Sequence, residues 1–282
     1  MKILYLGTGA AEGVPAMFCN CENCQEARQR GIEEFHSRSQ TVVDGVLGID
    51  FPPDAYYHAL LYGVDLAAVR YLLITHSHMD HFYAHDFILR GYKYAKTLET
   101  PLDIYGNEEV CAVFQECTRR ELRPEIAQTI RVKAVQPFQP FSVGGYTATA
   151  LKAQHSKTET AYVYLLEKDG KSYLHLTDTG RLPAETLDYL EGYFKDKEKR
   201  VDLVTFDCTF LFWTAGAVSR HMGLGDNAVM RGEFLRRGIA DGSTRYLITH
   251  YSHNSAPLKE NLERARKEFS VEPTFDGMEI EL

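Results

Sequence analysis

The sequence predicts an α+β fold in which two mixed β-sheets pack face to face and helices cover their outer sides. Three observations carry this expectation. Short apolar strands recur from one end of the chain to the other. Helical segments with one apolar side are interleaved with them. The order falls into two halves, strands first and then strands mixed with helices. No Pro/Gly/Ser-rich linker separates the halves, so residues 1–282 are expected to form one domain.

Lys2–Gly7 opens the chain as a short apolar strand. Thr41–Gly45 and Val46–Asp50 form a hairpin around Asp44-Gly45. Pro53–Tyr62 is a helix opened by proline. Tyr71–Thr75 (YLLIT) is a buried strand, and Asp86–Lys96 and Glu108–Arg120 are helical. Tyr146–Lys152 and Ala161–Leu166 are strands, and the turn Lys168-Asp169-Gly170 leads into a third, Ser172–Thr177. Leu182–Phe194 is a helix whose far side ends in KDKEKR, a solvated charge run. Asp202–Phe206 and Arg245–Thr249 are strands on either side of a helix at Asn227–Arg237. Pro257–Phe269 is the last helix, and Thr274–Glu281 the closing strand.

Composition narrows the function. The 31 Lys+Arg against 39 Asp+Glu leave a net charge of −8, which repels a polyphosphate partner and argues against general nucleic-acid binding. No apolar run approaches a bilayer span, so no membrane partner is expected. The opening MKILYLGTGAAEG reads as a first strand rather than an export signal. Three of the six cysteines crowd into Cys19, Cys21 and Cys24, unlike a secreted disulfide framework, and a cytoplasmic protein with metal-binding thiolates is expected. Cys111, Cys117 and Cys208 are scattered and read as core or half-buried thiols.

The strongest chemical signal is His76-Ser77-His78-Met79-Asp80-His81, directly after YLLIT. A strand running into a loop aims His76 and His78 to one side, and the following turn brings Asp80 and His81 to a neighbouring point. That geometry suits two metals side by side. Imidazole with carboxylate favours Zn, Mn or Fe. Further ligands are expected at strand ends. His155 follows Leu151–Lys152, Asp178 ends SYLHLT, and His250 ends RYLIT, where ITHYSH echoes the first ITHSH. Asp50, closing GVLGID, is placed to hydrogen-bond a ligand histidine. His36, His58, His85 and His175 read as structural or exposed, with His85 the one nearest the site. Gly7-Thr8-Gly9…Gly13 has the wrong spacing for a dinucleotide loop and reads as a tight turn near the metal site.

Cys19-Asn20-Cys21-Glu22-Asn23-Cys24 supplies three thiolates for a tetrahedral Zn²⁺, and His253 can fill the fourth place. A closed Cys₃His site leaves no position for substrate, so its role is structural.

The HxHxDH run with the later His155, Asp178 and His250 resembles the metallo-β-lactamase superfamily over essentially the whole chain. The resemblance implies a four-layer αββα sandwich. It implies one divalent metal held by His76, His78 and His155, a second held by Asp80, His81 and His250, and Asp178 between them. Relatives with di-iron redox chemistry usually carry Glu where this chain has His78, so the resemblance is to the hydrolases. GTGAAEGVP, CxCxxC, HxHxDH and THYSH together resemble the branch of phosphoribosyl 1,2-cyclic phosphate phosphodiesterases. A relative associated with pyrroloquinoline quinone biosynthesis shares CxCxxC, but that group commonly lacks part of the ligand set that is complete in this chain. A departure from the branch is FYAHDFILR after His81, where glycine is frequent. The branch implies that His221 is the general acid or a phosphate contact, with Asp207 to orient it; His221 and Asp80 are thus the candidate catalytic residues. The expectation is a hydrolase of a small cyclic phosphodiester, with two divalent ions and one structural Zn. A homodimer is in keeping with the relatives. Three other functions fit the same fold: a tRNA 3′-processing nuclease, a thioester or lactone hydrolase, and a quinone-pathway protein held together by the CxCxxC zinc.

Overall fold

The computed structural model describes all residues except 97–99. Its strands, in chain order, build two seven-stranded sheets. The first sheet takes β1 (Lys2–Gly7), β2 (Gln40–Val43), β3 (Leu47–Ile49), β4 (Tyr71–Leu73), β5 (Leu102–Gly106) and β6 (Ile130–Ala134). The second takes β7 (Pro140–Val143), β8 (Tyr146–Lys152), β9 (Tyr162–Lys168), β10 (Lys171–Leu176), β11 (Leu203–Asp207), β12 (Arg245–Thr249) and β13 (Glu272–Pro273). The last strand, β14 (Met278–Glu281), returns to the first sheet beside β1. The spatial orders are β14-β1-β2-β3-β4-β5-β6 and β13-β12-β11-β10-β9-β8-β7.

Three apolar layers explain why the sheets stack. Between them, Ile3, Val43, Leu47, Ile49 and Leu73 of the first sheet meet Ala148, Tyr164, Leu166, Tyr173, Leu203 and Leu247 of the second. Alternate residues of the same strands face outward. On the first sheet Leu72 and Ile104 pack against Val110 and Phe114 of a helix at Glu108–Thr118. On the second, Leu174, Val204, Phe206 and Ile248 pack against Leu187, Leu190 and Phe194 of a helix at Ala184–Asp196, and against Met230 and Phe234 of one at Leu224–Arg236. The period of two in the strands therefore feeds two cores at once, which yields the α+β four-layer αββα sandwich.

Several expectations need correction. Asp86–Lys96 is not an α-helix: a 3₁₀ turn covers Ala84–Leu89 and stops, because Gly91 (φ 139°) and Tyr92 (φ 55°) leave helical space. Only Met278–Glu281 of Thr274–Glu281 is strand. Before it the chain turns inward so that Asp276 accepts the backbone N–H groups of Thr8 (2.9 Å) and Ser37 (2.7 Å). The expectations passed over β5, β6 and β7 and two helices, Glu22–Arg30 and Pro124–Ala127. No helix among the described residues is long and apolar enough to cross a membrane.

His36, His58 and His175 are buried, and burial holds each near pKa 4. Unfolded, each takes a proton near 6.5. Between those values the unfolded chain binds more protons, so stability is complete above about pH 6.5 and falls as pH drops toward 4, by up to about 1.4 kcal/mol per pH unit for each histidine. Asp276, pushed up to about 6 by burial, is protonated earlier in the folded state and offsets one of the three below pH 6. The urea midpoint of the metal-free protein is expected to fall between pH 6.5 and 4.5; a flat or rising midpoint contradicts this.

Candidate metal centre and active site

The parallel strands β3-β4-β5-β6 and β10-β11-β12-β13 present their carboxyl ends toward the same edge of the sandwich. The polar residues gather just beyond those ends: Asp50 after β3, His76–His81 after β4, Asp178 after β10, Asp207 ending β11 and His250 after β12. His155 joins them from the loop after β8. Asp50 (φ 64°), Asp178 (φ 56°) and His250 (φ 65°) all stand in the left-handed region, where the chain turns sharply enough to aim each side chain across the sheet edge.

The predicted residues fall into two contiguous clusters that share Asp178. In the first, His76 Nε2 lies 2.8 Å from His78 Nδ1, and His155 Nε2 lies 3.3 Å from the same atom. In the second, His81 Nε2 lies 3.2 Å from Asp80 Oδ2. Asp178 Oδ2 sits 3.3 Å from His76 Nε2, 3.1 Å from His81 Nε2 and 3.9 Å from His250 Nε2, while its Oδ1 sits 3.1 Å from His155 Nδ1. Within each set, His76/His78/His155/Asp178 and Asp80/His81/Asp178/His250, the donor atoms lie within 4.8 Å of one another.

Partners outside the clusters hold the rings in place. Asp50 Oδ2 is 2.7 Å from His81 Nδ1, and Asp50 also accepts the Thr75 N–H (2.8 Å). Thr75 Oγ1 lies 3.0 Å from His76 Nδ1. Thr209 Oγ1 lies 2.8 Å from His250 Nδ1, and Asp207 accepts the Thr209 N–H at 3.1 Å. With these ring nitrogens engaged on the outer side, the opposite nitrogens turn inward. Thr75 and Thr209 were not foreseen. Thr75 did leave a trace, since Thr precedes the ligand histidine in both LLITH and YLITH.

The donors fit cations. His81 Nε2, His155 Nδ1, Asp178 Oδ1 and His250 Nε2 are buried and make no hydrogen bond of good geometry, although they crowd one another. Four orphaned buried polar atoms inside these two donor sets are costly unless something binds them. Asp178 is buried, which alone would favour its neutral acid, yet His250, His221, His76 and His81 hold it well below the usual carboxylate range. Nitrogen and carboxylate donors in this mix suit a borderline divalent ion.

His221 stands at the rim. Its Nδ1 lies 3.0 Å from Asp178 Oδ1 and 3.2 Å from Asp207 Oδ2. Burial lowers its pKa, but the two carboxylates outweigh that and carry it up to about 10. Among the described residues its Nε2 has no protein partner, and a quarter of the side chain is exposed. Gly180 lets the loop that carries His221 close on the site: a Cβ there would meet Ser219 O at 1.9 Å. Gln154, beside His155, donates to Ala217 O (2.6 Å) and Ser219 O (2.9 Å) and ties the same loop down. His85 is exposed against Tyr83 and touches none of the donors.

A separate cluster joins distant parts of the chain. Cys21 Sγ and Cys24 Sγ lie 3.5 Å and 3.4 Å from His253 Nδ1, and with Cys19 the four donors are within 4.8 Å of one another. Tetrahedral Zn–S bonds separate neighbouring sulfurs by about 3.8 Å, so the set has the right size. Cys21 stands in extended backbone just before the helix Glu22–Arg30. The Cys24 backbone N–H and His253 lower its thiol to about pKa 6, which favours thiolate. Asn23 donates to His253 O at 2.9 Å and helps hold the two segments together.

Comparison with known proteins follows the same lines. Residues 44–251 match the family described as the beta-lactamase superfamily domain. The crystal structure of a diphosphatase from the PhnP family superposes with a TM-score of 0.73 at 20% identity, covering 100% of this chain and 97% of that one. Zn²⁺-bound PqqB from Methylobacterium extorquens superposes with a TM-score of 0.69 at 17% identity, covering 100% of both chains. Among curated proteins, an octanoyltransferase of Porphyromonas gingivalis is 25% identical over 201 residues, 68% of this chain. The match spans only 37% of that protein's length.

Proposed function

As a member of the beta-lactamase superfamily the chain is a metal-dependent hydrolase, and we propose that it is a phosphodiesterase that opens a small cyclic phosphate diester of the phosphoribosyl 1,2-cyclic phosphate class. The observation that carries this is the complete seven-residue donor set with His221 and Asp207 beside it. The likeness to a PhnP-family diphosphatase supports phosphoryl chemistry.

In this reading His76, His78 and His155 would hold one divalent ion, Asp80, His81 and His250 would hold a second, and Asp178 belongs to both donor sets. Cys19, Cys21, Cys24 and His253 would hold a structural zinc. A pair of ions in such a site supplies positive charge to a phosphoryl oxygen and makes water a nucleophile near neutral pH. The chain's own groups do the rest. Asp50 and Thr75 fix the ring planes of His81 and His76. Opening the ring forms one bond from water oxygen to phosphorus, breaks one ring P–O bond, and puts a proton on the departing oxygen. His221 delivers that proton: Asp207 and Asp178 hold its Nδ1 and leave Nε2 free to face the leaving group. A small diester suits the net charge of −8 better than a polynucleotide does.

The deciding experiment is metal content with a substrate panel. About three ions per chain and hydrolysis of bis(p-nitrophenyl) phosphate and ribosyl cyclic phosphates are expected. Turnover of thioesters, octanoyl thioesters included, or of lactones in place of phosphodiesters would transfer the site to acyl chemistry. A single ion per chain with no hydrolysis would favour the quinone-pathway type. Within the phosphodiesterase, His221→Gln is expected to lower kcat for the cyclic sugar phosphate by about 10²–10⁴-fold. It should leave bis(p-nitrophenyl) phosphate far less affected, because nitrophenolate departs without a proton. Equal losses on both substrates would remove His221 as the acid.

A further inference from the structure

We propose that Glu159 is the positioning residue for the first cluster and sets the affinity of the His76/His78/His155 half of the centre without touching it. Glu159 lies in the loop between β8 and β9, four residues beyond His155. Its carboxylate accepts the Ser77 N–H at 3.2 Å and 3.1 Å, one distance to each oxygen, and the Ser77 hydroxyl at 2.7 Å. Ser77 is the residue between His76 and His78. Fixing its N–H and hydroxyl on one carboxylate fixes the peptide plane that His76 shares with it and the point from which His78 departs. The two imidazoles then meet at 2.8 Å.

The brace extends outward. Asn107 Nδ2 donates to Glu159 Oε2 at 2.6 Å and to Thr160 O at 2.9 Å. Asn107 Oδ1 accepts the Val110 N–H at 2.8 Å and so caps the helix Glu108–Thr118. The turn that carries His76 and His78 is thus anchored to the loop that carries His155 and to the rigid start of a packed helix. All the donor pairs around Glu159 are N–H or O–H groups, so an anion there is fully used and no neutral side chain matches it.

The second cluster has a different support. Its rings are held by Asp50, Asp207 and Thr209, none of which contacts Glu159. Loss of Glu159 should therefore loosen one half of the centre and spare the other. This rests on the donors being a metal centre, not on the identity of the substrate.

The test measures metal affinity by chelator competition, with elemental analysis and the thermal midpoint of the metal-free forms. In Glu159→Ala one ion per chain is expected to bind about 10–100-fold more weakly, while the other active-site ion and the cysteine-bound ion keep wild-type affinity. Glu159→Gln should fall between, because its amide oxygen can accept from Ser77 while its NH₂ opposes Asn107. Ser77→Ala, which keeps the N–H contact, should weaken the same ion less. Adding Glu159→Ala to His78→Ala should change nothing further, whereas adding it to His250→Ala should still weaken the remaining ion. Equal weakening of both ions, unchanged affinity, or a loss traceable to a lower midpoint of the metal-free protein would overturn the proposal. If the wild type binds both ions yet hydrolyses no phosphodiester, the assigned reaction fails and the role of Glu159 stands.

Discussion

Asp178→Asn is expected to abolish hydrolysis, with kcat/KM lower by on the order of 10⁴-fold or more, in a protein that remains folded. Asp178 belongs to every histidine-containing donor group of the centre. One oxygen approaches His76 and His81 and the other approaches His155 and His221. Asparagine keeps the shape, removes the charge and turns an NH₂ toward donors that need an acceptor. Both histidine clusters should then lose their ions, leaving one per chain at the cysteine site. The far-ultraviolet circular dichroism should not change, because β10 and the loop after it owe their position to the sheet. A variant that retained two ions and near-wild-type turnover would remove Asp178 from the centre.

Cys21→Ser should act on stability instead. The cluster joins the start of the helix Glu22–Arg30 to the segment just after His250, and a metal ion held there would stabilise the folded chain over the unfolded one. With the metal about a thousand-fold above its Kd, its loss costs roughly 4 kcal/mol. For a chain of this size that is about 10 °C in Tm. The variant should hold one ion fewer than the wild type, and kcat well below the melting range should fall less than threefold. Chelation of the wild type should reproduce the lower Tm and leave Cys21→Ser unmoved by loss of that ion. An equal Tm in both proteins would mean that the thiols close no metal site.

Much of the centre was legible because its donors come as local text. HSHMDH compresses four donors into one turn, and Asp178 and His250 each follow an apolar strand directly. The strands that were found, such as YLLIT and SYLHLT, are short runs buried on both faces, as strands between two covered layers must be. The omissions have physical causes. β6 (IRVKA) carries charges at alternate positions on a half-exposed edge, and β7 begins with proline and pairs on one side. The helix Glu22–Arg30 has no side-chain cap and buries only Cys24 and Ala27, so neither a cap signal nor an apolar stripe marks it. Asp86–Lys96 has helical composition but contains Gly91, and the turn there takes precedence over propensity. The bond between Glu159 and Asn107 left no pattern, because it spans 52 residues and is made only when the two loops meet.

The sharp bends at Asp50, Asp178 and His250 carry a price for the protein's future improvement. Each holds a side chain in backbone space that suits glycine better, at about 1 kcal/mol apiece. Glycine at these positions would ease the bend but leave Thr75, His81 and Thr209 without buried partners, at about 1–3 kcal/mol each, so a laboratory search that rewards heat resistance gains nothing from relaxing the centre.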